Sequence, residues 1–224
     1  LHPYAMILRE KDMDRQDYRE LARHIQVMCR KASVKMFVHS DISAAKYAGC
    51  GNVHFSMEHF KQMCEEQADV IKRLDCVSVS CHSMEEAVNA VRAGADQIVL
   101  GTIFETQCKP GKMGAGLSFL KEVCRAAHTV NPTVKVFAIG GIKPDNIGKV
   151  LEAGADVNAK DKWGNTLLHY IAGSSQRGAK EAVGLVMDFG KPDVNAVNNE
   201  GKTVLDIATE KNDEALIKFL LKYY

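Results

Sequence analysis

Through its N-terminal part the chain alternates short unbroken apolar runs with stretches whose apolar residues return every three or four positions. The runs are Tyr4 to Leu8, Lys35 to His39, Asn52 to Phe55, Cys76 to Ser80, Gln97 to Phe104 and Lys135 to Ile142. Continuous rather than alternating, they read as strands covered on both faces. Between the first two, Tyr18, Leu21, Ala22, Ile25, Met28 and Cys29 form a helical stripe. Ser83-Met84-Glu85-Glu86 after the fourth predicts a capping box, with Ala87, Val88 and Val91 on one face. Phe119, Leu120, Val123, Cys124 and Ala127 make a further stripe before the sixth. Repeated βα units of this kind predict a parallel sheet, either doubly wound or barrel.

A different pattern takes over near Val150 to Asp156. Val157-Asn158-Ala159 returns as Val194-Asn195-Ala196, an offset of 194 − 157 = 37 residues, and Gly164-Asn165-Thr166-Leu167-Leu168 is answered by Gly201-Lys202-Thr203-Val204-Leu205. These segments resemble the ankyrin repeat, whose unit is about 33 residues, with a small insertion near Gly173 to Gly178 in the first copy. Such repeats bury their apolar faces on one another, and about three are needed for stability. Ile147, Val150 and Leu151 look like the second helix of a preceding repeat. The same helix, residues 145–153, follows the sixth strand and is expected to be shared. The domains are therefore drawn at 1–153 and 154–224.

The formal net charge of +1 with 25% charged residues gives no electrostatic reason to expect nucleic acid or an anionic membrane. The 46% hydrophobic content supports a core, yet no apolar run approaches the roughly 20 residues of a membrane span. Seven cysteines, at 29, 50, 64, 76, 81, 108 and 124, include no CxxC pair and read as reduced thiols of a cytoplasmic protein. A chain that begins at Leu1, without methionine or leader, reads as a fragment.

Ordered motifs sharpen the picture. They are Leu8-Arg9-Glu10-Lys11 at the end of the first strand, Val79-Ser80-Cys81-His82-Ser83-Met84-Glu85-Glu86-Ala87 after the fourth and Gly94-Ala95-Asp96 before the fifth. Gly101-Thr102-Ile103-Phe104-Glu105-Thr106-Gln107-Cys108-Lys109 and Ala138-Ile139-Gly140-Gly141-Ile142 follow. In this order they resemble the thiamine phosphate synthase and thiazole tautomerase superfamily of TIM barrels, over Tyr4 to Gly154. The resemblance implies that the six strands match the second through seventh of eight. It implies a partial (β/α) barrel fused to all-α ankyrin repeats.

It also implies a chemistry. Joining a pyrimidine methyl diphosphate to a thiazole phosphate requires cations to clamp the departing pyrophosphate, and Arg9, Lys11 and Lys109 have that type and place. Thr106 is placed to donate a hydroxyl to a phosphate, and Gly140 and Gly141 let backbone N–H groups approach another. His82 and Lys109 are the catalytic candidates, His82 as the acid–base group. The alternative is a rim ion pair of Arg9 and Lys11 with Glu10, and glycines that only turn the chain.

The departures bear on the reaction. The synthase pattern has glutamine where Ile7 stands, an asparagine–aspartate pair at His39-Ser40 and an aspartate at His59. Asp41 follows one residue later. Magnesium binds pyrophosphate through carboxylates, so no metal cofactor is expected, magnesium being the alternative. The tautomerase branch also lacks those aspartates and shares the pattern from Phe104 to Lys109, but Thr102 replaces its histidine. His39, His54, His59 and His82 fall at or beyond strand ends, and their spacing matches no zinc pattern. Cys81 and His82, as neighbours on a strand, face opposite ways. Gly111 to Gly116 is not a phosphate-binding P-loop. Trp163 and His169 are read as packing residues of the repeats.

The expectation is a barrel segment derived from a thiamine-biosynthetic enzyme, its transferase or isomerase activity lost or weak. It would bind phosphorylated thiazole or pyrimidine ligands or pyrophosphate. The competing expectation is a recombined or engineered non-catalytic scaffold, whose repeats act as cap or protein-binding surface. Six parallel strands cannot close an eight-stranded barrel, which leaves two edges. Homodimerisation is expected from those edges, as is docking of the repeats through Leu167, Leu168 and Ile171.

Overall fold

The structure, a computed structural model, describes residues 5–107, 111, 113–143, 146–153, 157–158, 160, 163–174 and 178–224. Its contacts divide it into two compact units, one ending at Gly141 and one running from Ile142 to Tyr224.

The first unit holds β1 (Ala5–Leu8), α1 (Arg15–Lys31), β2 (Lys35–His39), α2 (Ile42–Tyr47), β3 (Asn52–Ser56), α3 (Met57–Glu66), α4 (Ala68–Ile71), β4 (Cys76–Cys81), α5 (Met84–Arg92), β5 (Gln97–Gly101), α6 (Gly116–Val130) and β6 (Lys135–Ile139). The strands lie side by side in chain order, all parallel, and curl into a half-barrel. Among the described residues β1 pairs only with β2 and β6 only with β5.

The strand-to-helix turns are written in short polar residues. Asp14 caps α1 by accepting from the N–H groups of Gln16 and Asp17 at 2.8 and 3.0 Å. Asp41, Ser56 and Ser83 cap α2, α3 and α5 in the same way. Only half of the expected box on α5 forms. Ser83 Oγ accepts from Glu86 N–H, but the Glu86 carboxylate reaches past Ser83 to accept from His82 N–H at 2.6 Å.

Alternation gives the sheet two unlike faces. Val38, Val53, Phe55, Val77, Val79, Ile98 and Leu100 are buried on the helix side, where Phe55 meets Phe60 of α3 at 5.8 Å. The opposite face carries His39, His54, Ser78 and Gln97 in one register row. Toward its edges it exposes Ile7 at 41% and Ile139 at 51%.

Two strands stop earlier than their apolar runs predict. β5 ends at Gly101, not Phe104, because the successive N–H groups of Ile103 and Phe104 both turn to β6, onto the carbonyls of Ile139 and Gly140 at 3.0 Å. A strand alternates its donors between neighbours. β6 ends at Ile139, not Ile142, because Gly140 and Gly141 take φ of +93° and +67°. The expected start of β1 at Tyr4 lies outside the described residues.

The second unit holds α7 (Ile147–Glu152), α8 (Leu167–Gly173), α9 (Ala179–Gly190), α10 (Val204–Glu210) and α11 (Glu214–Leu220). Leu151, Leu168, Ala172, Val183, Val186, Val204, Ala208, Leu216 and Leu220 form its core. Leu167 and Ile171 pack against the same cluster, so the three residues expected to dock have their partners among the repeats themselves. The 37-residue offset becomes contact: Lys160 Nζ donates to Val197 O at 3.0 Å, between equivalent positions of the two copies. Thr166 and Thr203 open α8 and α10 with matching capping boxes. In the first, His169 Nδ1 accepts from Thr166 N–H at 3.1 Å, which leaves Nε2–H to donate to Lys202 O at 3.0 Å in the next repeat. The packing role expected of His169 is therefore a bridge between repeats.

Candidate functional site

All six strands point the same way, so their C-terminal ends share one rim. Arg9 and Lys11 follow β1 there, both exposed. Glu10 does not pair with either cation side chain; its Oε1 accepts from Lys11 N–H at 2.8 Å and Asp12 N–H at 3.4 Å. From α1, Tyr18 donates to Leu8 O at 3.0 Å and fixes the strand end from below.

His39 ends β2 beside His54 of β3, with ring centroids 5.6 Å apart. Burial, and then the charges of Arg9, His59 and Lys11, hold His39 below the ordinary histidine range. His54 is buried at 3% exposure, and its ring bridges two hydroxyls of β4: Nδ1 to Ser78 at 2.9 Å and Nε2 to Ser80 at 2.8 Å. Burial, reinforced by His39 and Arg9, lowers its pKa to about 4. It is a neutral ring with no nitrogen to spare. The sequence reading missed this cluster. Its one signal was serine at alternate positions of Cys76-Val77-Ser78-Val79-Ser80, which puts both hydroxyls on one face.

His82 lies just past β4, exposed, with Nδ1 2.7 Å from Gly101 O. A carbonyl only accepts, so Nδ1 carries a proton and donates it to this bond. Its neighbour Cys81 is buried on the opposite face, and burial pushes that thiol up to about 12, out of reach of nucleophilic use.

At β6, a Cβ on Gly140 would meet Thr102 Cγ2 at 2.5 Å and one on Gly141 would meet Glu105 O at 2.6 Å. The close approach of the segment from Thr102 to Glu105 therefore gives both glycines a packing reason of their own. Thr106 is half-buried in that loop. Lys109, which completed the expected clamp, lies outside the described residues.

Magnesium does not fit this rim. A magnesium–pyrophosphate site needs carboxylates, but Ser40 and His59 occupy the positions in question. Asp41 Oδ1 is committed to the start of α2, accepting from Ala44 N–H at 2.8 Å and Ser43 Oγ at 2.7 Å. Among the described residues, no three histidines, cysteines or carboxylates gather in a metal-binding group, and none of their helices is long and apolar enough to cross a membrane.

Comparison with known proteins bears on the family of each unit. A profile of thiamine monophosphate synthase matches residues 3–160, and one of ankyrin repeats matches 134–224. The two overlap over 134–160, where β6 and α7 lie. The thiamine-phosphate synthase of Thioalkalivibrio sulfidiphilus is 30% identical over 152 residues, 67% of this chain and 69% of that protein. That of Geobacillus kaustophilus is 35% identical over 143 residues, 62% and 61% of the two lengths. Among solved structures, a thiamine phosphate pyrophosphorylase from Pyrococcus furiosus superposes with a TM-score of 0.54 at 25% identity, covering 67% of this chain and 69% of that one. The chain belongs to the thiamine monophosphate synthase family and joins part of that barrel to ankyrin repeats.

Proposed function

We propose that the half-barrel is a phosphate-ligand-binding derivative of a thiamine-biosynthetic enzyme, with synthase turnover lost or weak. The observation that carries this reading is the rim beyond β1 to β3: Arg9, Lys11, His39 and His59 come together there, and Ser40 and His59 stand where the synthase pattern has aspartates. The cations suit a phosphorylated thiazole or pyrimidine, or pyrophosphate itself. Each charge-assisted hydrogen bond contributes about 1.5–3 kcal/mol. His82 would carry any residual proton transfer, and Thr106, Gly140, Gly141 and Lys109 would complete the phosphate contacts. Turnover with both phosphorylated substrates and magnesium tests the reading. No efficient product formation is expected, and kcat/KM of about 10⁴ M⁻¹s⁻¹ or above would overturn it.

A second reading, a non-catalytic scaffold whose repeats bind a protein, is favoured by the ankyrin match and by the separate core of the second unit. Thermal shifts with thiazole phosphate and pyrophosphate separate the two, since only the first expects stabilisation. The outermost strands of the sheet, β1 and β6, support self-association, and cysteines 29, 50, 64, 76, 81 and 124, which form no disulfide among the described residues, fit a reducing cytoplasm.

A further inference from the structure

The basic groups at the rim come from separate elements that the sheet register brings together. Leu8 pairs with Val38, so Arg9 follows beside His39, and His39 in turn pairs with His54. From the first turn of α3, His59 sets its ring edge-on to Phe55 at 5.6 Å, on the helix side of the sheet. Its charge, with those of Arg9 and Lys11, acts on His39. Among the described residues neither Arg9 nor Lys11 makes an ion pair. Of the neighbouring carboxylates, Glu10 turns Oε1 to the main chain and Asp41 turns Oδ1 to the cap of α2. Further titratable neighbours among the described residues include Tyr18, which donates to Leu8 O, His54, held by two serines, and Arg19, which donates to Ser43 Oγ and acts on Asp41.

Building on the phosphate-binding reading above, we propose that this rim takes a polyphosphate anion without a divalent metal, and that His39 gains a proton as the anion binds. Without a bound anion, burial and surrounding cations oppose that proton. An anion bearing two or more negative charges reverses the local field and accepts a hydrogen bond from the imidazolium. The pKa of His39 is then higher in the bound state than in the free state, so affinity rises as pH falls.

Calorimetry with sodium pyrophosphate tests this on the full chain, in EDTA and in magnesium, at pH 8 and pH 6, alongside His39→Gln. Binding should persist in EDTA. Its gain between pH 8 and pH 6 should exceed that of H39Q by about fivefold, the ligand's own protonation being common to both proteins. In parallel, the His39 ring resonance should titrate at higher pH once pyrophosphate is added, a reading that needs no variant. Binding that appears only with magnesium would overturn metal independence. Equal pH dependence in the two proteins, or an unmoved His39 titration, would overturn the proton linkage. Absence of binding under every condition would instead defeat the phosphate-binding reading itself.

Discussion

Replacing His54 by glutamine removes the one ring that ties β3 to both serines of β4. In the native fold burial lowers this histidine from 6.5 to about 4. The unfolded chain therefore binds a proton through an interval in which the folded chain does not. The resulting stability is fully present above about pH 6.5 and is lost as pH falls toward 4. The full difference is about 3 kcal/mol, since each pKa unit corresponds to about 1.4 kcal/mol. By pH 4.5 about 2.5 kcal/mol of it is gone. Glutamine does not titrate, and losing the ring's bonds to Ser78 and Ser80 costs about 0.5–1.5 kcal/mol each. His54→Gln should thus be less stable than the native chain at pH 7.5 and equal or more stable at pH 4.5. Amide hydrogen exchange at Val53, Phe55, Val77 and Val79 reads the opening free energy of this sheet without interference from the repeats. His39, also depressed, is present in both proteins, so the difference between their curves reports the proton refused at His54 together with its coupling to His39. Parallel stability curves from pH 7.5 to 4.5 would refute the argument, because they would mean that His54 is not the group whose proton is refused.

Other substitutions probe the two units separately. Leu216→Ala in α11, at a fully buried position, should destabilise the repeats by about 2–5 kcal/mol. Fluorescence of the single tryptophan, Trp163, would show this as a shifted urea midpoint. Gly141→Ala places a Cβ 2.6 Å from Glu105 O at a left-handed φ, and should cost more than about 1 kcal/mol in sheet exchange at β5 and β6. An alanine that leaves protection there unchanged would show that the Thr102–Glu105 segment yields easily.

What the sequence revealed depended on how local the determining interaction is. All six strands were visible as apolar-rich runs, although only the helix side of the sheet is uniformly apolar and the opposite face carries His39, His54, Ser78 and Gln97. The same signal overran the end of β5, since Thr102 and Ile103 stay buried after the backbone has left the ladder. Apolarity reports burial, not hydrogen-bond geometry. The basic rim was legible for a topological reason: consecutive parallel strands return every C-terminal end to one side. The cluster of His54 with Ser78 and Ser80 was not, because it requires the register of β3 against β4, and one serine-rich strand does not announce its partner. In the repeats the 37-residue offset was plain, whereas the bridge from His169 to Lys202 O depends on a tautomer set by Thr166.

The most direct measurement is a nuclear magnetic resonance titration of the full chain with pyrophosphate in magnesium-free buffer. Saturable shifts should concentrate at Arg9, Lys11, His39 and His59, leave the repeats unmoved and weaken strongly in Arg9→Ala. Shifts scattered over the surface, or a response that Arg9→Ala leaves intact, would contradict a phosphate-binding rim at the ends of β1 to β3.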